Sequence, residues 1–351
     1  MSSIKNLLKK WKHELIYNIF YWVAKKRLKI GNPIFLIGTP LHGNIGDQAI
    51  TMAEYKFLEQ HLKLNKNVIE IPSKYISMNV SRWKKIIGDS TILIHGGGFI
   101  GSLWPEEYNM IKEVIKTFSE NYIIILPQTI YYDSIGKEIE EFNTLMSKCN
   151  NITLCAREKI SYEFVLKHLP NSNPRLIPDM VTYLDSEKIN LSFTTKRNGV
   201  MLCLRNDIEK NINDSMYNTI ISSLLKHFNK EDIMHTDTFI NETIYPYRRE
   251  KVVKQKILEF SRAKIIITDR LHGMVLAALA NTPCIVLSNC NHKVKGVYDW
   301  ISNNKYIRYI ENTNDFEKHI IELLETKDNN YSNEFAIEKF ETLDKLINKQ
   351  L

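Results

Sequence analysis

Residues 264–280 read KIIITDRLHGMVLAALA, and the fold follows from how this stretch divides. Lys264–Thr268 is a short run dominated by β-branched apolar residues, which reads as a strand buried on both faces. Met274–Ala280 is apolar and alanine-rich, the composition of a helix packed tightly against such a strand. Between them, Asp269-Arg270-Leu271-His272-Gly273 forms a strand-to-helix turn. Asp269 is placed as the N-cap, with Arg270 and His272 in the first turn. Strand followed by helix is the unit from which parallel sheets are built.

The same unit recurs on both sides of this stretch. Toward the N-terminus, strands are predicted at Ile34–Ile37, Val68–Ile71, Ile92–His95, Tyr122–Leu126, Ile152–Cys155 and Arg175–Ile177, with helices near 47–63, 106–119, 136–148 and 158–168. Residues 185–198 are polar and aperiodic, the mark of a linker. Beyond it, strands are predicted at Val200–Leu204, Asp232–His235, Lys264–Thr268 and Pro283–Leu287, with helices near 211–228, 248–262, 270–280 and 294–303. The expectation is an α/β protein of two Rossmann-like lobes with parallel sheets, residues 31–190 and 198–310. An N-terminal helical segment (1–30) and C-terminal helices (311–351) flank them. Ligands of open α/β sheets bind beyond the carboxyl ends of the strands, so the polar residues there, facing a cleft between lobes, are the candidates for function.

Composition narrows the function classes. The chain has 351 residues, 44% hydrophobic and 25% charged, which is globular usage and excludes disordered and fibrous classes. No apolar run approaches the about 20 residues of a membrane span. The net charge is +7, yet residues 1–30 carry eight basic residues against Glu14 alone, so the remainder is neutral overall and a nucleic-acid-binding body is not indicated. Five cysteines without a CxxC spacing suit a reducing cytoplasm and neither a disulfide framework nor a zinc site. In residues 4–29, Ile4, Leu8, Trp11, Leu15, Ile19 and Trp22 recur at helical spacing among lysines. A basic amphipathic helix of this kind suits an anionic membrane interface; the competing reading is a helix docked on its own domain.

Three strand-end constellations carry chemistry. In Gly38-Thr39-Pro40-Leu41-His42-Gly43-Asn44-Ile45-Gly46-Asp47 there is no Walker pattern, and Asp47 near a helix start would repel phosphate while accepting hydrogen bonds from hydroxyls. The loop therefore reads as a binder of a neutral, hydroxyl-rich ligand, unless Asp47 merely caps the helix. His95-Gly96-Gly97-Gly98-Phe99-Ile100-Gly101 matches GxGxxG. However, the helix starts after the motif, and no acidic residue ends the next strand, at Pro127-Gln128. It reads instead as a flexible loop lining the cleft through Gly97 and Gly98, with Gln128 and Thr129 bonding the same ligand. Third, Arg270 and His272 at a helix start converge on an anion, and the imidazole can exchange protons near neutral pH. Arg205 and Arg157, each following a strand, add further cations and imply a ligand with more than one anionic group; Lys293 is a weaker candidate. No metal spacing links His42, His95 and His235, and no metal or cofactor is expected.

These residues, in order, resemble the polysaccharide pyruvyl transferases. Asn44-Ile45-Gly46-Asp47, Gly96-Gly97-Gly98, Gln128, Arg157-Glu158 with Ser161, Pro178-Asp179, Leu204-Arg205, Asp269-Arg270-Leu271-His272-Gly273 and Lys293 carry the resemblance. Pro127-Gln128-Thr129 departs from the family's Gly-Gln pattern. The resemblance implies a GT-B-like fold, phosphoenolpyruvate as co-substrate, a glycan acceptor, and a pyruvate ketal as product. It implies donor handling by Arg205, Arg270 and His272, with His272 as proton carrier. Asn44 and Asp47 would then orient the acceptor, which the N-terminal helix suggests is lipid-linked at the inner membrane face. The rival enzyme is a GT-B-type nucleotide-sugar glycosyltransferase. A non-catalytic glycan- or phosphate-binding protein and a redox enzyme rank below it.

Overall fold

The structure, a computed structural model, describes residues 2–30, 33–62, 67–193, 196–206, 211–289, 292–327 and 329–349, with side chains in the first segment described from 11 to 29. Cys290 and the side chains of Ile4, Lys5, Leu8, Lys9 and Lys10 lie outside that description.

Twelve strands are described: β1 (Pro33–Thr39), β2 (Asn67–Pro72), β3 (Thr91–Ile94), β4 (Gly97–Gly101), β5 (Tyr122–Tyr131), β6 (Asn151–Ala156), β7 (Arg175–Leu176), β8 (Val200–Cys203), β9 (Ile233–His235), β10 (Ile265–Thr268), β11 (Cys284–Leu287) and β12 (Ile307–Ile310). They form two sheets, ordered β2-β1-β3-β5-β6-β7 with β4 also on β5, and β12-β11-β10-β8-β9. Every pairing within the sheets is parallel. The central strands β3, β10 and β11 are buried along their whole length because helices cover both faces. Two Rossmann-like lobes result, as the strand–helix alternation requires.

The strand order fixes where a ligand can bind. In the first sheet the chain leaves β1, adds β2 on one side and crosses to β3 on the other; in the second, β9 and β10 flank β8 in the same way. Helices diverge to opposite faces at such a reversal, leaving a crevice at the strands' carboxyl ends. The loops after β1, β8 and β10 open there.

Several elements differ from the sequence expectation, among them the unpredicted helices Ser73–Met78 and Val80–Ile87. The glycine run is not a flexible loop: residues 97–101 form β4, registered on β5 through Gly97–Gln128 and Gly101–Tyr131. β5 itself continues through Pro127 to Tyr131, with a register irregularity toward β6 between Ile125 and Gln128, where proline is tolerated. β12 was not anticipated from sequence.

One apolar core runs through both lobes. Ala49, Ala53 and Phe57 of the helix Ile45–His61 meet Val253 and Ile257 of the helix Pro246–Phe260 and Val275 and Ala278 of the helix Leu271–Leu279. The C-terminal helix Glu334–Asn348 returns to the first lobe, where Phe340 packs against Phe57 and Tyr183. Each fully buried ring or branched chain of this kind contributes about 1.5–3 kcal/mol. The lobes are thus held by packing as well as by chain connection. Among the described residues, no helix is long and apolar enough to cross a membrane.

Candidate active site

The crevice between the two switch points is a cavity of about 450 Å³. The first lobe contributes the loop and helix start after β1 (His42, Asn44, Asp47), together with Gly98, Phe99, Trp104, Glu107 and Arg157. The second contributes Arg205, Asp237, Phe239, Arg270, His272 and Lys293. Eight of the ten residues singled out from sequence therefore share one wall system.

The loop after β1 is pinned across the cleft. Ile45 N–H donates to Thr238 O at 2.7 Å, Ile240 N–H to Gly43 O at 2.9 Å, and Ile244 N–H to Leu41 O at 2.9 Å. Asn44 is the N-cap of the helix Ile45–His61, its side chain accepting from Gly46 N–H at 3.0 Å. Asp47 is therefore not the cap. It stands three residues farther on, in the first turn, where the helix dipole favours its charge, and its carboxylate lies 3.7 Å from His42 Nε2.

On the opposite wall the helix Leu271–Leu279 begins after Arg270, which occupies the N-cap position instead of Asp269. Asp269 is buried one step deeper: its Oδ1 accepts the Arg205 N–H at 2.8 Å, tying the end of β8 to the end of β10. Burial, the dominant influence, pushes the Asp269 carboxyl upward despite Arg205 and Arg270 nearby. The first-turn amides, with no intrahelical acceptors of their own, face the cavity with the positive end of the helix. Arg270 extends over this end and donates from Nη2 to Asp237 at 2.9 Å.

His272 spans the lobes. Its Nε2 lies 3.4 Å from Asp179 Oδ2, and its Nδ1 side packs on the opposite helix start, where a Cβ added to Gly46 would come within 2.4 Å of it. Glycine at 46 is required by that approach. Asp179 is fully buried. Burial alone would raise its carboxyl, but His272, through charge and hydrogen bond, then Arg157 and the Val181 N–H, hold it well below the usual carboxylate range.

Arg157 differs from its expected role. Its Nε donates to Thr129 Oγ1 at 2.7 Å and its Nη1 to Asp179 at 2.8 Å, and the side chain is only 3% exposed. What reaches the cavity is Nη2, under Gly98, where a Cβ would sit 3.3 Å from it. Arg157 is thus the buried support of Asp179 with one edge at the cavity floor.

Gly97 and Gln128 do not line the cavity. Gln128 is fully buried, and its amide clamps the glycine segment by accepting from Phe99 N–H at 3.1 Å and donating to His95 O at 2.7 Å. Gly97 is buried in β4, and Thr129 is taken up by Arg157 and Glu158. These residues shape the wall instead of touching a ligand. Beneath them Glu54 receives Gly96 N–H and the His95 Nδ1 side, each at 2.8 Å.

Several lining residues were not singled out from sequence, Asp237 among them. Glu107, in the first turn of the helix Pro105–Thr117, is held above the usual carboxylate range, chiefly by burial and further by Glu106 and Asp47. It gives the first lobe a second carboxylate beside Asp47. Phe99, Trp104 and Phe239 add aromatic surface. The Glu-Glu pair after Pro105 was visible as a helix start, but nothing local pointed it into the cleft.

The arrangement is polarised. Arg205, Arg270, Lys293 and a helix N-terminus lie on the second lobe, where Asp237 offsets part of the Arg270 charge, and Asp47 and Glu107 lie on the first, with His272 between. An anion is favoured on one side and hydroxyl groups on the other.

Comparison with known proteins names the family. The model of the family described as polysaccharide pyruvyl transferase matches residues 44–291, beginning at the N-cap of the helix Ile45–His61. The chain belongs to the polysaccharide pyruvyl transferase family. It is an enzyme of pyruvyl transfer to polysaccharide. General stress protein 30 of Bacillus subtilis is 32% identical over 306 residues, covering 84% of this chain and 86% of that protein. Pyruvyl transferase 1 of Schizosaccharomyces pombe is 28% identical over 268 residues, 73% and 66% of the two chains. The fold is shared with the Methanocaldococcus jannaschii UDP-GlcNAc 2-epimerase in complex with UDP-GlcNAc and UDP, at a TM-score of 0.50 and 12% identity over 90% of this chain and 99% of that one. This is the GT-B-like arrangement. The N-terminal helix precedes the matched segment of the transferase.

Proposed function

We propose that this transferase uses phosphoenolpyruvate as donor and joins its pyruvyl group as a ketal to two hydroxyls of one sugar. The observation that carries this reading is the polarised cavity: a cationic wall with a helix start, a wall with two carboxylates, and one imidazole between them. Phosphoenolpyruvate holds a carboxylate and a phosphate on adjacent atoms, which suits Arg205, Arg270, Lys293 and the helix end together. The exposed edge of Arg157 extends that surface at the floor.

The chemistry follows from where protons can be held. His272, held against Asp179, delivers a proton to the methylene carbon, and cationic character develops at the neighbouring carbon. A sugar hydroxyl attacks there, giving up its proton toward Asp47 or Glu107. The carbon–oxygen bond to phosphate then breaks, phosphate departing with the bridging oxygen to the arginines. The second hydroxyl closes the ring. Of the two hydroxyl protons, one balances the new methyl group and the other leaves with phosphate. Asn44 and Asp47 orient the sugar, and Trp104 and Phe239 offer rings on which its apolar face can rest. The reading places the enzyme in the cytoplasm, with a glycan carried on a membrane lipid as acceptor.

The test is incubation with phosphoenolpyruvate and a panel of free and lipid-linked glycans, following phosphate release together with the product's mass. Equal amounts of phosphate and ketal-bearing product support the reading; phosphate release without product, or none with any glycan, overturns it. Uridine diphosphate is the control for a nucleotide-sugar enzyme of the same fold. Phosphoenolpyruvate should raise the thermal midpoint, and uridine diphosphate should leave it unchanged.

A further inference from the structure

We infer that the N-terminal helix Ser2–Arg27 is a docking face for an anionic membrane surface, lying along the interface with Trp11, Leu15, Ile19 and Trp22 in the acyl boundary. The helix has two apolar faces, and its own lobe uses only one. Tyr17 and Ala24 are buried, with Phe20 and Tyr21 packed beside them, and Tyr17 and Tyr21 meet the Trp83 ring edge-on at 5.9 and 5.3 Å. Arg82 stacks over Tyr21 at 3.9 Å and donates to Asn18 at 2.8 Å. The helix is therefore held firmly by the lobe, and the face that holds it is not the stripe visible in the sequence.

That stripe points outward: Trp11, Leu15, Ile19 and Trp22 are 69%, 63%, 51% and 55% exposed. Four large apolar side chains at i, i+4, i+8 and i+11 form a continuous row that nothing in the described chain covers. Their charge surroundings select the occupant. Residues 1–30 hold eight basic residues and one acid, and Lys26 Nζ sits 3.7 Å over the Trp22 ring, so the cations lie in the same band as the apolar row. A second copy of this helix would bring like charges together; an anionic bilayer satisfies both the row and its basic flanks. Trp at either end of the row suits the headgroup level.

Placement gives the docking a consequence. Arg27 bonds Val68 O and Asn67 at the start of β2, while His13 meets Lys74 just past the end of β2 at Pro72. The helix thus runs along the β2 edge, its N-terminal end toward the carboxyl side of the sheet, where the cleft opens. Residues 2–12 extend beyond that edge by roughly 16 Å at 1.5 Å per residue. Docking would bring this edge of the first lobe, the acceptor lobe, to the membrane. The inference is independent of the donor chemistry.

Flotation of the full chain tests it. The enzyme should rise with vesicles containing phosphatidylglycerol, stay down with pure phosphatidylcholine, and lose binding as salt is raised. Trp11→Glu with Trp22→Glu should lower the floated fraction at least tenfold with an unchanged thermal midpoint. Lys25→Glu with Lys26→Glu, away from the packed face, should also lower it. Flotation that none of these changes affects, no flotation on anionic vesicles, or a dimer in light scattering that the Trp pair breaks while vesicles remain unbound, would each overturn the inference.

Discussion

The imidazole of His272, from the second lobe, stands 3.4 Å from the carboxylate of Asp179, a fully buried group of the first. That carboxylate also receives Arg157 at 2.8 Å, so the imidazole of the cleft rests on a charge that folding has already neutralised on its other side. Asp179→Asn removes the charge and leaves Arg157 buried without it, a loss of about 3–5 kcal/mol at neutral pH. Because Asp179 is held low in the folded state, its stabilisation is complete above about pH 4, its unfolded value, and fades as pH falls further. Urea midpoints of wild type and variant should differ most at pH 7 and converge below pH 4. A gap that is constant with pH would remove the ion pair from this role.

His272→Ala should lower turnover at least about a hundredfold, the range of a positioned acid or base. The thermal shift produced by phosphoenolpyruvate should persist in part, since Arg205, Arg270 and Lys293 remain. An effect below tenfold on turnover would take His272 out of proton transfer.

Gly46→Ala tests the approach of the two helix starts. The added methyl would sit 2.4 Å from His272 Nδ1, so the ring must move, while alanine suits the helix itself. Turnover should fall at least tenfold, with little change in urea midpoint and retained protection by phosphoenolpyruvate. Loss of stability equal to that of Asp179→Asn would place the strain in the fold instead of the ring.

Much of this was legible locally. Strand runs such as Ile265–Thr268 and helix runs such as Leu271–Leu279 announce themselves because both faces of a parallel sheet are covered and periodicity survives. The Asn44 and Arg270 turns were readable because strand ends point at the cleft. What failed was whatever depends on partners far along the chain. Gln128 looked like a ligand contact because a polar residue after a strand usually is; its amide is instead consumed by the backbone of residues 95–99, which a sequence does not show. Asp269 had the right residue type for a cap, but its carboxylate is taken up by the Arg205 N–H just past the end of β8. Asp179 was quoted within the family resemblance without a role, although it too follows a strand. The N-terminal helix was readable as amphipathic, but which of its two apolar faces the lobe covers depends on Trp83 and Tyr75, about sixty residues away.

The aromatic rim offers a test of which side takes the acceptor. Trp104 and Phe239 line the cavity and are 39% and 50% exposed, so truncation leaves no buried hole. Trp104→Ala and Phe239→Ala should raise the acceptor KM severalfold, with the KM for phosphoenolpyruvate and the thermal midpoint unchanged. A rise in the donor KM alone would move these rings to the other half of the site.

Arg249 ties the packing of the lobes to the loop after β1. From the second lobe it forms a two-pronged pair with Glu70 of β2, at 3.0 and 2.6 Å, and donates from Nε to Gln48 at 2.9 Å. Gln48 in turn donates to Pro40 O at 3.1 Å and His42 O at 2.9 Å, holding the loop that ends in Asn44. Burial works against the Glu70 charge, yet Arg249 with Thr39 outweighs it and keeps the carboxyl low. Arg249→Met alone strands Glu70 in the interior and should cost about 3–5 kcal/mol; adding Glu70→Leu should restore most of that, since an apolar pair can replace a buried ionic one. The double variant still lacks the guanidinium on Gln48. Its urea midpoint should therefore approach wild type while the acceptor KM stays raised. Recovery of both would mean that Arg249 supports the lobes alone and the loop holds itself.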